Sequence, residues 1–104
     1  MLLTIFSVYD SKVSAFMPPF FMRNKGEAIR AFVQIATSGD NNIVKYPADF
    51  TLFQLGTFDD LTCKFVLNST PLSIGTALDL KCSNDNQPVL PSAVQAVYDG
   101  NVDR

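Results

Sequence analysis

Residues 2–9 alternate Leu3, Ile5 and Ser7 against Thr4, Phe6 and Val8. This period of two predicts a strand, apolar enough on both faces to lie centrally in its sheet. Asp10 and Ser11 supply a turn signal, because their side chains cap nearby backbone groups. Residues 13–22 read as a second extended segment, interrupted by Pro18 and Pro19. Proline lacks the N–H a ladder needs, so this is either an edge strand or a strand broken into a loop. The period then changes. Ile29, Phe32, Val33 and Ala36 share one helical face, while Glu27, Arg30 and Gln34 share the other, which predicts a helix over 25–37. Asn24 is its N-cap, Glu27 stands in the capping-box position, and Gly39 is its stop.

After a loop containing Pro47, residues 50–58 read as a strand. Asp59 and Asp60 suggest a turn, residues 61–67 return antiparallel, and 68–71 break the pattern. Residues 74–82 are a further strand candidate, weakened by Gly75 and Ala77. The polar stretch from Ser83 predicts either a linker followed by a short helix at 91–98 or a tail that orders only on a partner. Residues 1–82 thus form one α+β domain: a small antiparallel sheet of four to five strands, one helix packed on one face, and a polar C-terminal tail over 83–104.

A chain of 104 residues with 47% hydrophobic composition is one domain able to bury a core without metals or disulfides. Histidine is absent, which removes His-based acid–base chemistry and mixed Cys/His metal sites. No Lys is poised to activate a Ser or Thr, so the expectation is a protein that is not an enzyme, with no cofactor and no metal. Asp59 and Asp60, with Asp49, read as turn formers before cation ligands. Cys63 and Cys82 match no ligand spacing and stand among apolar neighbours, so buried reduced thiols are expected. No leader or membrane-length apolar run is apparent, which makes a cytoplasmic protein the default.

Charge is uneven. Residues 1–45 hold five Lys/Arg against three Asp/Glu, whereas 46–104 hold three against seven, giving +2 and −4 within a net −2. The basic excess overlaps the aromatics of the N-terminal third. Phe6, Tyr9, Phe16, Phe20, Phe21 and Phe32 interleave with Lys12, Arg23, Lys25 and Arg30. Rings stack on bases and cations attract phosphates, which is the chemistry of single-stranded nucleic-acid binding. Phe32 belongs to the helix's apolar face, and Phe53 and Phe58 are expected in the core of the sheet. Tyr9, Phe16, Phe20 and Phe21, at strand ends or around the prolines, are the candidates for exposed stacking. Lys12, Arg23, Lys25 and Arg30 are the candidate phosphate contacts. Lys25 and Gly26 also place first-turn N–H groups where a phosphate would sit, unless Asn24 and Glu27 already satisfy them.

Several segments together resemble the small nonstructural proteins of gokushovirus-type microviruses, phages with small circular single-stranded DNA genomes. They are Ser7-Val8-Tyr9-Asp10-Ser11-Lys12, Pro18-Pro19-Phe20, Gly26-Glu27-Ala28 with Arg30 and Phe32, Lys45-Tyr46-Pro47-Ala48-Asp49-Phe50-Thr51-Leu52-Phe53, and Gly56-Thr57-Phe58-Asp59-Asp60. Ala48 stands where members often carry Glu, and Phe50 where they often carry Tyr. The segment after Leu61 matches poorly. The resemblance implies a protein made in the host cytoplasm that binds DNA and acts at the switch to single-stranded genome synthesis and packaging. The alternative is a protein–protein adaptor that contacts the viral replication initiator, the procapsid or a host replication factor without touching DNA. A homo-oligomer is expected, with residues 2–9 and the Pro-containing segment as the contact regions.

Overall fold

The strand expected at the N-terminus, β1 (Leu2–Asp10), lies inside its sheet in the computed structural model, which describes residues 1–86. On one side it pairs with β2 (Ala15–Phe16) and β3 (Phe20–Met22), two pieces of one edge separated by Pro18 and Pro19. Met17 bridges them by donating its N–H to the Val8 carbonyl at 2.8 Å. On the other side β1 pairs along its whole length with β4 (Phe50–Asp59), which pairs in turn with β5 (Lys64–Thr76). Every pairing is antiparallel, which the short β1–β2 and β4–β5 turns require of their own strands. Residues 2–9 therefore have no free edge through which to pair with another chain.

The helix α1 (Lys25–Thr37) has the expected bounds. Its buried residues are Ala28, Phe32, Val33 and Ala36, and the packed cluster joins Ala28, Phe32 and Ala36 to Phe6, Val8, Phe50 and Leu52 of the sheet. Two more helices accompany it, where one was expected. The short α2 (Asn42–Lys45) is capped by Asn41, whose Oδ1 accepts the Val44 N–H at 3.0 Å, and its Ile43 is buried. A 3₁₀ turn, Pro47–Asp49, follows it and leads into β4. The third, α3 (Ala77–Asn86), occupies much of the strand expected at 74–82. Its start is set by Thr76, whose Oγ1 accepts the Asp79 N–H at 3.0 Å, an N-cap arrangement. Ala77 and Leu80, three apart, then turn toward the core. Gly75 leaves room for them, since a Cβ there would stand 3.2 Å from the Leu80 side chain.

The break expected at 68–71 is absorbed within β5. Leu67 pairs with Gly56 and Leu72 with Gln54, so four residues of β5 stand opposite Leu55 alone. Such an irregularity bends the strand and increases the local twist. It brings the backbone of β5 tightly over Gly56, where an added Cβ would collide with the Val66 carbonyl oxygen and lie 2.8 Å from Leu67 Cα. Both obstacles are backbone and cannot swing away. Gly56→Ala is expected to destabilise the fold by about 1–3 kcal/mol, the range for inserting a methyl group where no space exists. Urea unfolding would read this as a lower midpoint with an unchanged slope.

Both Cys63 and Cys82 are exposed free thiols, not buried ones. Cys63 sits in the β4–β5 turn with φ +62°, its N–H donated to the Asp59 carbonyl at 2.7 Å. A turn of that kind holds its side chain away from any core. Among the described residues no helix is long and apolar enough to cross a membrane. The helix expected at 91–98 and most of the tail from Ser83 lie outside the described residues.

Candidate functional site

Side chains alternate across a strand, so β1 sorts its residues between two faces. Phe6 and Val8 point toward α1. Leu3, Ile5, Ser7 and Tyr9 point the other way, onto a face that no described helix covers. Their cross-strand partners share that outer face: Phe58 opposite Leu3, Phe21 opposite Ile5, Phe53 opposite Ser7, and Phe16 opposite Tyr9. Phe65 joins them from β5, opposite Phe58.

Six aromatic rings thus stand on one face, in two groups of three. At one end Tyr9 and Phe16 lie 4.9 Å apart between ring centroids, Phe16 and Phe53 5.3 Å, and Tyr9 and Phe53 6.2 Å. At the other end Phe58 and Phe65 lie 4.8 Å apart, Phe21 and Phe58 5.4 Å, and Phe21 and Phe65 6.4 Å. These tilted and edge-on contacts suit the ring quadrupole. Between the groups lie Ile5 and Ser7, both buried, and the Ser7 hydroxyl is satisfied by donating to the Met17 carbonyl at 2.6 Å. Within each group some rings support and others are open to solvent. Phe16 is 45% exposed, Phe21 42% and Phe65 54%, whereas Tyr9, Phe53 and Phe58 are half-buried behind them.

Three of the expected stacking candidates, Tyr9, Phe16 and Phe21, are therefore on the outer face. Phe20 is not. One step along β3 from Phe21, it turns inward and stacks on fully buried Phe6 at 5.9 Å. There it lines an apolar cleft of about 290 Å³ with Met17, Pro18, Phe32 and Ile35. Phe53 and Phe58, expected in the core, belong instead to the outer groups, and Phe65 was missed. No local spacing could have placed these three together. Phe53 and Phe58 are five apart, which a regular strand would place on opposite faces. The register shifts of β4 near Leu55 bring them to the same side.

The cations do not form a single patch with these rings. Lys12 does lie beside them, in the exposed turn joining the strands of Tyr9 and Phe16, where its N–H is donated to Asp10 Oδ1 at 3.0 Å. Arg30 is on the outward side of α1, with the helix and the sheet between it and the outer face. At the start of α1 the capping side chains take the N–H groups of Glu27 and Arg23. Asn24 Oδ1 accepts the Glu27 N–H at 2.9 Å, and Glu27 Oε1 accepts the Arg23 N–H at 3.1 Å. The Glu27 carboxylate also takes the Arg23 guanidinium, with Nε donating to Oε2 at 2.9 Å. A phosphate arriving at the Lys25 and Gly26 N–H groups meets the Glu27 carboxylate beside them, which opposes an anion there. Lys25 remains exposed at this end.

The Arg23 hydrogen bonds hold the Glu27 carboxyl below its usual range and raise the Arg23 guanidinium. A carboxyl depressed in the folded state contributes stability at neutral pH, and loses it as pH falls through its lowered value. Both groups are exposed, so the effect is small and screened by salt. Glu27→Gln is expected to remove the acid-sensitive part of helix-start protection, read by amide exchange at Lys25 to Ala28 across an acid titration.

Near the β4–β5 turn Asp59 behaves as a turn former, whereas Asp60 Oδ1 accepts from the Met1 ammonium at 2.8 Å. Asp59 Oδ1 accepts the Leu61 N–H at 2.9 Å. Among the described residues no group of three or more His, Cys, Asp or Glu is placed to hold a metal ion.

No curated protein and no solved structure matches the chain. A family model described as Phage ORF5 protein matches residues 3–80, from β1 through β5 into the first turn of α3, and so well past Leu61. That span is three quarters of the 104 residues and contains all of the sheet but Leu2, with both aromatic groups, and the chain belongs to this phage ORF5 protein family.

Proposed function

We propose that this phage protein is a non-enzymatic DNA-binding protein that prefers single strands. Following the resemblance to gokushovirus-type proteins, its role is at the switch to single-stranded genome synthesis and packaging, in the host cytoplasm. The observation that carries the reading is the outer face, with Phe16, Phe21 and Phe65 presented at two ends of one sheet and braced from behind. A braced ring loses little freedom when a base stacks on it. Paired bases in a duplex hide their faces, so this surface favours single strands. Cations contribute less. Lys12 beside Tyr9 and Phe16 is the main phosphate contact, Lys25 adds to the field at the helix start, and Arg23 is largely neutralised by Glu27.

Fluorescence anisotropy with labelled single-stranded and duplex oligonucleotides at two salt concentrations tests this. Binding should favour the single strand and show a shallow salt slope, because few counterions are released. Absence of binding at about 50 mM salt, where phosphate contacts are strongest, would sink the reading. Lys12→Ala is expected to weaken binding at low salt and to have little effect at high salt. Arg23→Ala should change it less than Lys12→Ala, since its charge is already spent on Glu27.

A second reading, an adaptor that engages the replication initiator, the procapsid or a host replication factor, is favoured by the apolar cleft between Phe20, Pro18 and α1. Such a cleft accepts an apolar side chain and offers nothing to a nucleotide phosphate. Pull-down from infected cells with and without nuclease separates the two readings: partners retained after nuclease support the adaptor.

A further inference from the structure

We propose that β5 is the seam of a two-fold symmetric dimer, in which two copies of this chain pair antiparallel along Lys64–Thr76 and join their sheets. Among the described residues the strand is last in the sheet order and bonded to β4 on one side only, so its other side presents backbone N–H and C=O groups on both sides of the irregularity at 68–71. Only another strand matches them. Soluble proteins usually protect such an edge with charges, prolines or brevity. The opposite edge of this sheet is protected in that way, being cut into pieces of two and three residues by Pro18 and Pro19. β5 is not. It runs for 13 residues with Lys64 as its sole charge and Pro71 as its sole proline. Phe65, Val66, Leu67 and Leu72 along it are each more than half exposed.

The contrast between the two edges selects the partner. If β5 paired with the far edge of another copy, each added chain would leave a new open edge and a filament would grow. The far edge is too short and broken for that. Pairing β5 with β5 uses the one open edge among the described residues on both copies and closes the assembly. Antiparallel symmetry also keeps the two Lys64 ammonium groups at opposite ends of the seam. The strand otherwise carries no charge that would select a charged partner instead. The dimer does not depend on the DNA-binding reading, and it is tested without DNA.

Light scattering on the full chain over a dilution series is expected to give about 22.8 kDa, twice the 11.4 kDa of one chain. Leu67→Lys combined with Leu72→Lys should give the single-chain mass with an unchanged far-UV spectrum. Val13→Lys, at an exposed apolar residue in the β1–β2 turn, should leave the dimer intact. A wild-type monomer at every concentration, a mass above the dimer, or a dimer that survives the paired lysines would overturn the proposal. Should the double variant fail to fold, wild-type amide exchange decides. Protection of residues 65–73 that rises with protein concentration supports the seam, and protection independent of concentration refutes it.

Discussion

Phe6→Ala is expected to cost about 3–5 kcal/mol of folding stability, the range for removing a buried aromatic ring. Phe6 has no exposed surface and stands in the middle of the central strand. Its ring stacks on Phe20 at 5.9 Å and belongs to the same cluster as Phe32 of α1 and Leu52 of β4. The vacated space cannot close easily, because the strands on both sides of β1 are held by their ladders. A domain of this size has a total stability of roughly 5–15 kcal/mol. The variant is therefore expected to unfold at a much lower urea concentration, or to be largely unfolded at 37 °C. Phe20→Ala should cost less, since Phe20 is only partly buried and lines an open cleft. A Phe6→Ala protein of near wild-type midpoint would mean that α1 is not anchored as described.

Replacing the exposed rings is expected to have the largest effect on DNA binding. Phe16→Ala and Phe21→Ala should each weaken single-strand affinity by about 1–3 kcal/mol if one base stacks on each ring. The two rings belong to separate groups and share no ring contact, so their effects should add. The loss should persist as salt is raised, unlike that of Lys12→Ala, because stacking releases no counterions. Stability should change little, since both rings are more than 40% exposed. Phe53→Ala provides the contrast. It sits behind Phe16 and Tyr9, so it should lower stability and disturb binding together. Anisotropy titrations paired with thermal melts separate these outcomes. Full affinity in the Phe16→Ala/Phe21→Ala double variant would show that the outer face does not stack bases and would favour the adaptor.

Much of the fold was legible in the linear pattern. The period of two over 2–9, the period of 3.6 over 25–37 and the prolines at 18 and 19 each predict the element that is present. These signals are local: a strand or helix covered on a single side writes its burial directly into its own residue spacing. Asn24 and Glu27 were likewise legible as a cap, because capping acts across three residues. The helix α3 was misread, although Thr76 and Asp79 have a cap's spacing and Ala77 and Leu80 a helix's. Gly75 looked like a flaw in a strand, whereas it is the opening through which Leu80 approaches the core.

The candidate site was legible only in its residue types. The sequence by itself determined an aromatic-rich, mildly basic N-terminal third and one central strand with two different faces. Tertiary structure decided which rings share a face. Neighbours Phe20 and Phe21 part to opposite sides because a strand alternates, whereas Phe53 and Phe58 come together because β4 is irregular near Leu55. Phe65 reaches them from 44 residues past Phe21 through strand order alone. The interleaving of cations with rings did not survive folding for Arg30, which α1 carries to the far side of the sheet, or for Arg23, which Glu27 claims. Local spacing records what a residue does within its own strand or helix. Register and strand order are set by pairings between distant segments, and no single segment carries that information.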